Sequence, residues 1–202
     1  MPLWRAADAL VLASGSAPRR VMLEAAGIPI EVRPPDIDER SLEAVAGSLD
    51  PPGAAVLLAR EKARSVSKRM PSRLVVGADQ TLALGSKRFD KPRDRTAARD
   101  QLKALAGDVH RLHAAVAVAR DGTILFEDVD SASLTMRPLS DGFLDTYLEA
   151  AGDAVLASVG GYQLERLGIH LFARVEGDHF TILGLPLLKL LEFLRREGSL
   201  AQ

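Results

Sequence analysis

There is no cysteine among the 202 residues, which removes disulfides, thiolate metal sites and cysteine nucleophiles in one step. Aromatic residues are scarce, with one Trp, two Tyr and six Phe, and they leave no visible platform on which single-stranded bases could stack. Neither sign of charge is in excess: 26 Lys and Arg stand against 27 Asp and Glu, a formal net charge of −1. No global field therefore draws the chain to a nucleic acid polymer or an anionic membrane. No run approaches the ~20 uninterrupted apolar residues of a membrane span. A basic region followed by an apolar stretch is missing near the N-terminus, so no secretory signal is expected and the default compartment is the cytoplasm. Repeats, linkers and low-complexity tracts are absent from the sequence. The four histidines, at 110, 113, 170 and 179, show no metal-ligand spacing and are expected to be structural or exposed. What remains, 47% hydrophobic and 26% charged, is the composition of an ordinary soluble globular protein. The length suits one domain spanning residues 1–202, with a sizeable core and room for two lobes.

The chain is organised around Leu10-Val11-Leu12-Ala13-Ser14-Gly15-Ser16-Ala17-Pro18-Arg19-Arg20. An apolar run reads as a buried strand, a small-residue turn follows, and a helix opens on two arginines. A helix N-terminus carries unpaired N–H groups and a partial positive charge, so it favours anions. Ser16 is placed to cap that helix, Pro18 is tolerated in its first turn, and Gly27 is a natural residue to end it. Arg19 and Arg20 bring fork-shaped donors suited to phosphate oxygens, although in a plain strand–helix connection both would simply lie in solvent. The lysine and spacing of a P-loop are missing.

Further along, Ile30-Glu31-Val32 reads as a strand and Pro34-Pro35 ends it. Asp36-Ile37-Asp38-Glu39-Arg40 concentrates carboxylates either as a solvated loop or as ligands for a hard cation such as Mg²⁺. A helix is expected from residue 53 to about 69, with Ala55, Leu58, Ala59, Lys62, Ala63 and Val66 on one face. Lys62 falls within this apolar stripe, where an unpartnered ammonium is costly. It either snorkels to the edge of the core or faces an internal anionic site. Leu74 to Leu82 reads as a buried strand running into Gly77, then Asp79 at its end, then more strand; the end of a core strand is the usual place for a catalytic carboxylate, and the alternative is a carboxylate that caps a loop. Lys91-Pro92 follows in a loop. The pattern predicts helices over 94–106 and 141–151, the latter burying Phe143, Leu144, Tyr147 and Leu148. Strands are expected at Leu112–Ala119, Ile124–Phe126 and 131–136, the first two joined by the hairpin dipeptide Asp121-Gly122. Gly160-Gly161 frames a loop that allows close backbone approach to a ligand. His170–Val175 and His179–Leu183 read as a hairpin, and Pro186 opens the last helix.

In this order and at this spacing, the stretches resemble the Maf family of nucleoside triphosphate pyrophosphatases over nearly the whole chain. The matching parts are Leu12-Ala13-Ser14-Gly15-Ser16 with Arg19-Arg20, Asp36-Ile37-Asp38-Glu39, Leu58-Ala59-Arg60-Glu61-Lys62-Ala63, Val76-Gly77-Ala78-Asp79-Gln80, Lys91-Pro92, Gly161-Tyr162 with Leu167-Gly168, and Glu176-Gly177-Asp178 before Gly184-Leu185-Pro186. The resemblance implies an α/β fold with a mixed sheet, two-lobed and inosine-triphosphatase-like, with a central cleft. It implies hydrolysis of a nucleoside triphosphate to the monophosphate and pyrophosphate with a divalent cation, Mg²⁺ or Mn²⁺, and it implies a homodimer. The family's catalytic positions fall on Arg19, Glu39, Lys62, Asp79 and Lys91. Asp79 would orient or deprotonate water, and Glu39, with Asp79, would hold the metal. Arg19, Lys62 and Lys91 would neutralise phosphates, and Ser14 and Ser16 would donate from the turn. Members resembling the dTTP/UTP enzymes carry other residues where this chain has Pro18, Gln80 and Glu165. Those three positions resemble instead the branch acting on 7-methyl-GTP, which implies that Gln80 and Glu165 bind and select the base with Pro18 shaping the pocket, and implies a modified nucleotide as substrate, house-cleaning of nucleotide pools and a link to septum formation. Two competing readings are a nucleotidyltransferase, which would need an acceptor, and a non-catalytic nucleotide-sensing regulator, which would bind without turnover.

Overall fold

A computed structural model describes residues 2–202, except for the side chains of Glu39 and Arg40. The chain divides into two compact units. Strands β1 (Leu10–Leu12), β2 (Ile30–Val32), β3 (Val75–Leu84), β4 (Lys87–Phe89), β5 (Val109–Arg120), β6 (Thr123–Met136) and β7 (Phe172–Glu176) form one sheet in the order β2-β1-β3-β5-β6-β7, with β4 paired to β3. Parallel pairs (β1 with β2 and with β3) and antiparallel pairs (β3 with β4, β6 with β7) make the sheet mixed, as the α/β reading expected. No helix among the described residues is long and apolar enough to cross a membrane.

The first unit comprises Met1–Gln80, His113–Asp130 and His179–Gln202. It contains β1 (Leu10–Leu12), α1 (Ala17–Ala25), β2 (Ile30–Val32), α2 (Glu39–Ala46), α3 (Pro51–Ser67), most of β3 (Val75–Leu84), and the adjoining parts of β5 (Val109–Arg120) and β6 (Thr123–Met136). The helical turn α6 (His179–Ile182) and helix α7 (Leu187–Arg196) complete it. Successive side chains of a strand alternate between its two faces, and the core divides by that alternation. Leu10, Leu12, Val76, Ala78, Val116 and Val118 join Met22 and Leu23 of α1 and Leu187, Leu190 and Leu194 of α7 in one cluster. On the other face Ala115, Ala117 and Ala119 pack against Ala55, Ala59 and Ala63 of α3, and Val11, Ala13 and Val75 meet Val66. Burial on both faces explains why these strands read as unbroken apolar runs.

Small residues let α3 lie close to the sheet. A Cβ added at Gly77 would stand 2.3 Å from the Ala59 carbonyl oxygen and 2.5 Å from the Ala63 nitrogen, both backbone atoms that cannot swing aside. Gly77 therefore marks a close helix–strand contact and not the end of a strand. β3 continues through it to Leu84, so Asp79 lies in mid-strand, contrary to the sequence expectation. What ends near this point is the parallel partner, since β1 pairs only as far as Leu12 with Val76.

The second unit comprises Thr81–Leu112 and Ser131–Asp178. It holds β4 (Lys87–Phe89), α4 (Arg95–Leu105), α5 (Asp141–Ala151), three short 3₁₀ segments and β7 (Phe172–Glu176). Asp94 and Ser140 cap α4 and α5 by accepting from Ala97 N and Phe143 N, a role their residue types favour. His110 is fully buried, and its Nε2 lies 2.7 Å from the Tyr162 hydroxyl. Burial lowers the imidazole pKa to about 4.

Several local expectations change. The segment from 167 to 171 is 3₁₀, Phe172–Glu176 is a strand, and His179–Ile182 is a helical turn, so no hairpin forms there. The bonds Leu183 N to His179 O, Gly184 N to Thr181 O and Leu185 N to Phe180 O curl this segment, although its alternation of polar and apolar residues imitates a strand. Residues 123–136 form one strand instead of two. Phe143 is only half-buried, with the Arg137 guanidinium 4.2 Å above its ring.

Candidate active site

The turn between β1 and α1 is built around the Ser14 hydroxyl. Ser14 is buried, and its Oγ accepts from Ser16 N at 3.2 Å and from Arg19 Nη1 at 3.2 Å. Ser16 occupies the N-cap position, but its side chain makes no capping bond. The expected capping role thus fails; the Ser16 backbone N–H turns toward Ser14 instead. Pro18 is partly buried in the first turn of α1, and Arg20 is exposed.

Arg19 points back from α1 into the unit. Its Nε donates to the Gly184 carbonyl at 2.8 Å and its Nη1 to the Ala78 carbonyl at 2.9 Å, in addition to Ser14. Burial lowers the guanidinium pKa below its ordinary value, and the negative charge of Asp79 opposes that shift. On the face of β3 toward α3, Asp79 Oδ1 receives the Lys62 ammonium at 2.6 Å. The two side chains are 14% and 15% exposed. Lys62 therefore does not snorkel to solvent; its place in the apolar stripe of α3 aims it at a carboxylate. Gln80, the next residue of β3, projects to the opposite face, where its amide donates to the carbonyls of Thr181 and Ile182, both at 3.0 Å.

Ser14, Arg19, Lys62, Asp79 and Gln80 thus gather within the first unit. Lys91 and Glu165 belong to the second unit and are exposed. Glu39 opens α2, and its side chain lies outside the described residues. Of the neighbouring carboxylates, Asp38 caps α2 by accepting from Ser41 N and Ser41 Oγ, and Asp36 is exposed. The carbonyls of Ala78, Thr181, Ile182 and Gly184 went unseen in the sequence. The nearest clue was the string Gly184-Leu185-Pro186.

Chemically, two cations and one carboxylate meet beside the middle of β3. The cations suit phosphate oxygens, and the carboxylate can accept a proton or hold a hard cation. No cluster of three or more acidic or histidine side chains suited to a metal occurs among the described residues. A Mg²⁺ or Mn²⁺ ion carried chiefly by substrate phosphates needs only one or two protein carboxylates, and Asp79 fits that requirement.

A family model described as Maf-like protein matches residues 9–197. A nucleoside triphosphate pyrophosphatase of Bradyrhizobium diazoefficiens is 56% identical over 201 residues, covering 100% of both chains. A protein of the same description from Rhodopseudomonas palustris is 55% identical with the same coverage. A 7-methyl-GTP pyrophosphatase of Rhizobium etli is 48% identical over 194 residues, which is 95% of this chain and 97% of that one. Among solved structures, a HAM1 protein from Coxiella burnetii overlaps 63% of this chain and 72% of its own at 15% identity, with a TM-score of 0.43. With residues 9–197 matched by the family model and full-length relatives at 56% and 55% identity, the chain belongs to the Maf family.

Proposed function

We propose that the protein hydrolyses a nucleoside triphosphate to the monophosphate and pyrophosphate. The observation that carries this reading is the largely buried Lys62–Asp79 pair at 2.6 Å, with Arg19 close enough to feel the negative charge of Asp79. Water attacks the α-phosphorus, the bond from that phosphorus to the bridging oxygen breaks, and pyrophosphate leaves. Asp79 orients the water and takes its proton. Lys62 passes from Asp79 to the phosphates as substrate arrives, and Arg19 meets them with its remaining donors, neutralising charge that grows on the leaving group. When bound, a divalent cation held by Asp79 supplies further charge neutralisation at those oxygens; Glu39 is assigned to the same ion by the resemblance alone. Lys91, assigned to the leaving pyrophosphate, and Ser16 rest on it too.

The substrate in this reading is a modified purine nucleotide of the 7-methyl-GTP kind. Support comes from the description of the Rhizobium etli relative and from the chemistry of Glu165. Its carboxylate can accept from both the N1–H and the exocyclic amine of a guanine edge and attracts a positively charged methylated base, whereas uracil and thymine present it one N–H between two carbonyls. Clearing such nucleotides from the pool is the role this turnover supplies. A homodimer and a link to septum formation belong to the same reading on the resemblance alone. The test is kcat/KM with Mg²⁺ or Mn²⁺ for 7-methyl-GTP, GTP, dTTP and UTP, with products identified. Pyrophosphate and monophosphate are expected, with 7-methyl-GTP preferred. Release of orthophosphate, dependence on an added acceptor, or binding without turnover overturns the activity. Preference for dTTP or UTP overturns the substrate.

A further inference from the structure

Gln80 directly follows the candidate base Asp79, yet its side chain is engaged on the other face of β3. A primary amide nitrogen has two protons, and here both have backbone acceptors, the Thr181 and Ile182 carbonyls at 3.0 Å each. These carbonyls belong to the turn that reaches Gly184, whose own carbonyl accepts from Arg19 Nε at 2.8 Å. The turn is tight against both side chains. Gly184 has φ +94°, and a Cβ there would meet Arg19 Nη2 at 3.4 Å and Gln80 Oε1 at 3.6 Å. Thr181 is fully buried, and its hydroxyl donates to Asp130 at 3.3 Å. One short segment is therefore held by Gln80 at one end and holds Arg19 at the other.

We infer that Gln80 is a positioning residue for Arg19: it fixes the 181–184 turn, and the Gly184 carbonyl in turn fixes the guanidinium. Its two donor protons are committed to these carbonyls and do not read the base. This rests on the reading above that Arg19 meets substrate phosphate. Arg19 sits on a long stem with several free torsions. Bonds to Gly184, Ala78 and Ser14 set the plane of its guanidinium before substrate arrives, so the ordering cost is not charged to binding. Misplacing a charged group by about 1 Å can cost roughly 10²-fold in rate. A threonine at position 80 would bring a single hydroxyl proton to two carbonyls and leave one unmet.

The test uses Gln80→Leu, similar in size but with no donor, and Gln80→Glu, which presents acceptors to acceptors and serves if Gln80→Leu fails to fold. The first readout needs no substrate: the ¹⁵Nε–¹Hε resonance of Arg19, assigned by its loss in Arg19→Lys. In the wild type it should be protected from solvent exchange by the bond to Gly184. In the Gln80 variants it should shift and exchange at least about tenfold faster as the turn loosens. The second readout is kcat and KM for 7-methyl-GTP, GTP, dTTP and UTP. A positioning role predicts a fall of about 10–100-fold in kcat, by the same factor for every base, with KM little changed. An Arg19 resonance unaltered in both variants overturns the inference, as does a loss that differs tenfold or more between purines and pyrimidines. If the wild type turns over no nucleotide at all, the proposed activity fails, and the Arg19 resonance still decides whether Gln80 positions that side chain.

Discussion

Breaking the Lys62–Asp79 pair from either side should have unequal consequences for stability and the same consequence for chemistry. The groups are 2.6 Å apart and about six-sevenths buried. Unit charges roughly 3 Å apart attract by about 5 kcal/mol at an effective dielectric near 20, and the cost of drying both ions offsets most of that gain. One ion left behind keeps its own desolvation cost. Lys62→Met retains the aliphatic stem in the α3 stripe but strands the carboxylate. Losing one partner of a buried pair costs about 3–5 kcal/mol, and the residual exposure of Asp79 places this variant at the lower end, about 3 kcal/mol. Asp79→Asn still offers the ammonium an oxygen acceptor and should cost about 1 kcal/mol. The double variant carries neither charge and should be more stable than Lys62→Met alone. Turnover follows a different order: Asp79→Asn loses about 10²–10⁴ in rate as the proton acceptor disappears, Lys62→Met is strongly impaired, and the double variant recovers nothing. Urea unfolding at pH 7.5 and single-turnover hydrolysis on the four proteins give both quantities, with the exposed Lys68→Met as the control that changes neither. A double variant less stable than Lys62→Met would refute the charge-pair argument. Near-normal turnover by Asp79→Asn would remove it as the base.

Gly77→Ala should destabilise by about 3 kcal/mol or more, because the new methyl group overlaps backbone of α3 with no rotamer to escape into; a loss under about 1 kcal/mol in urea unfolding would mean that α3 shifts freely. For His110 the sign is set by its lowered pKa. Between pH 6.5 and 4 the unfolded chain binds a proton that the folded chain refuses, so stability is undiminished above 6.5 and falls by about 3 kcal/mol as pH drops to 4. Urea midpoints across that range should fall more steeply for wild type than for His110→Gln, and parallel profiles would contradict the burial of a neutral imidazole. Glu165→Gln, on an exposed side chain, should leave stability within about 0.5 kcal/mol while lowering the kcat/KM ratio of 7-methyl-GTP to UTP; an unchanged ratio would release Glu165 from base selection.

How much of this was legible depends on whether a feature is written in side chains. The β1–α1 turn was, because an apolar run, small hydroxyl residues, Pro18 and Gly27 all point the same way. Lys62 was, because an ammonium in an apolar stripe needs a partner. Asp79 was identified by type and misplaced in structure: Gly77 suggested a break in the strand, whereas it serves the approach of α3 to β3. Glycine marks either a turn or a close contact, and one sequence does not separate the two. His179–Ile182 misled for a related reason, since an alternating four-residue stretch fits a strand as well as a single helical turn.

The deeper gap concerns acceptors. Arg19 and Gln80 are both held by carbonyls, at Ala78 and Gly184 for the one and at Thr181 and Ile182 for the other. Every residue carries a carbonyl, so no residue type announces which ones converge. That is why Gln80 looked like a member of a base-reading set with Pro18 and Glu165. In the sequence the three depart together from the dTTP/UTP pattern. In the structure they stand in different situations: Gln80 is committed to backbone, Pro18 is partly buried in the first turn of α1, and Glu165 is exposed. An exchange at position 80 therefore acts through Arg19 on every substrate alike, and one at position 165 can act on the choice of base. Residues that vary together need not do the same work. The pair Gln80→Leu and Glu165→Gln separates the two effects, since the first should scale all four substrates by one factor and the second should reorder them.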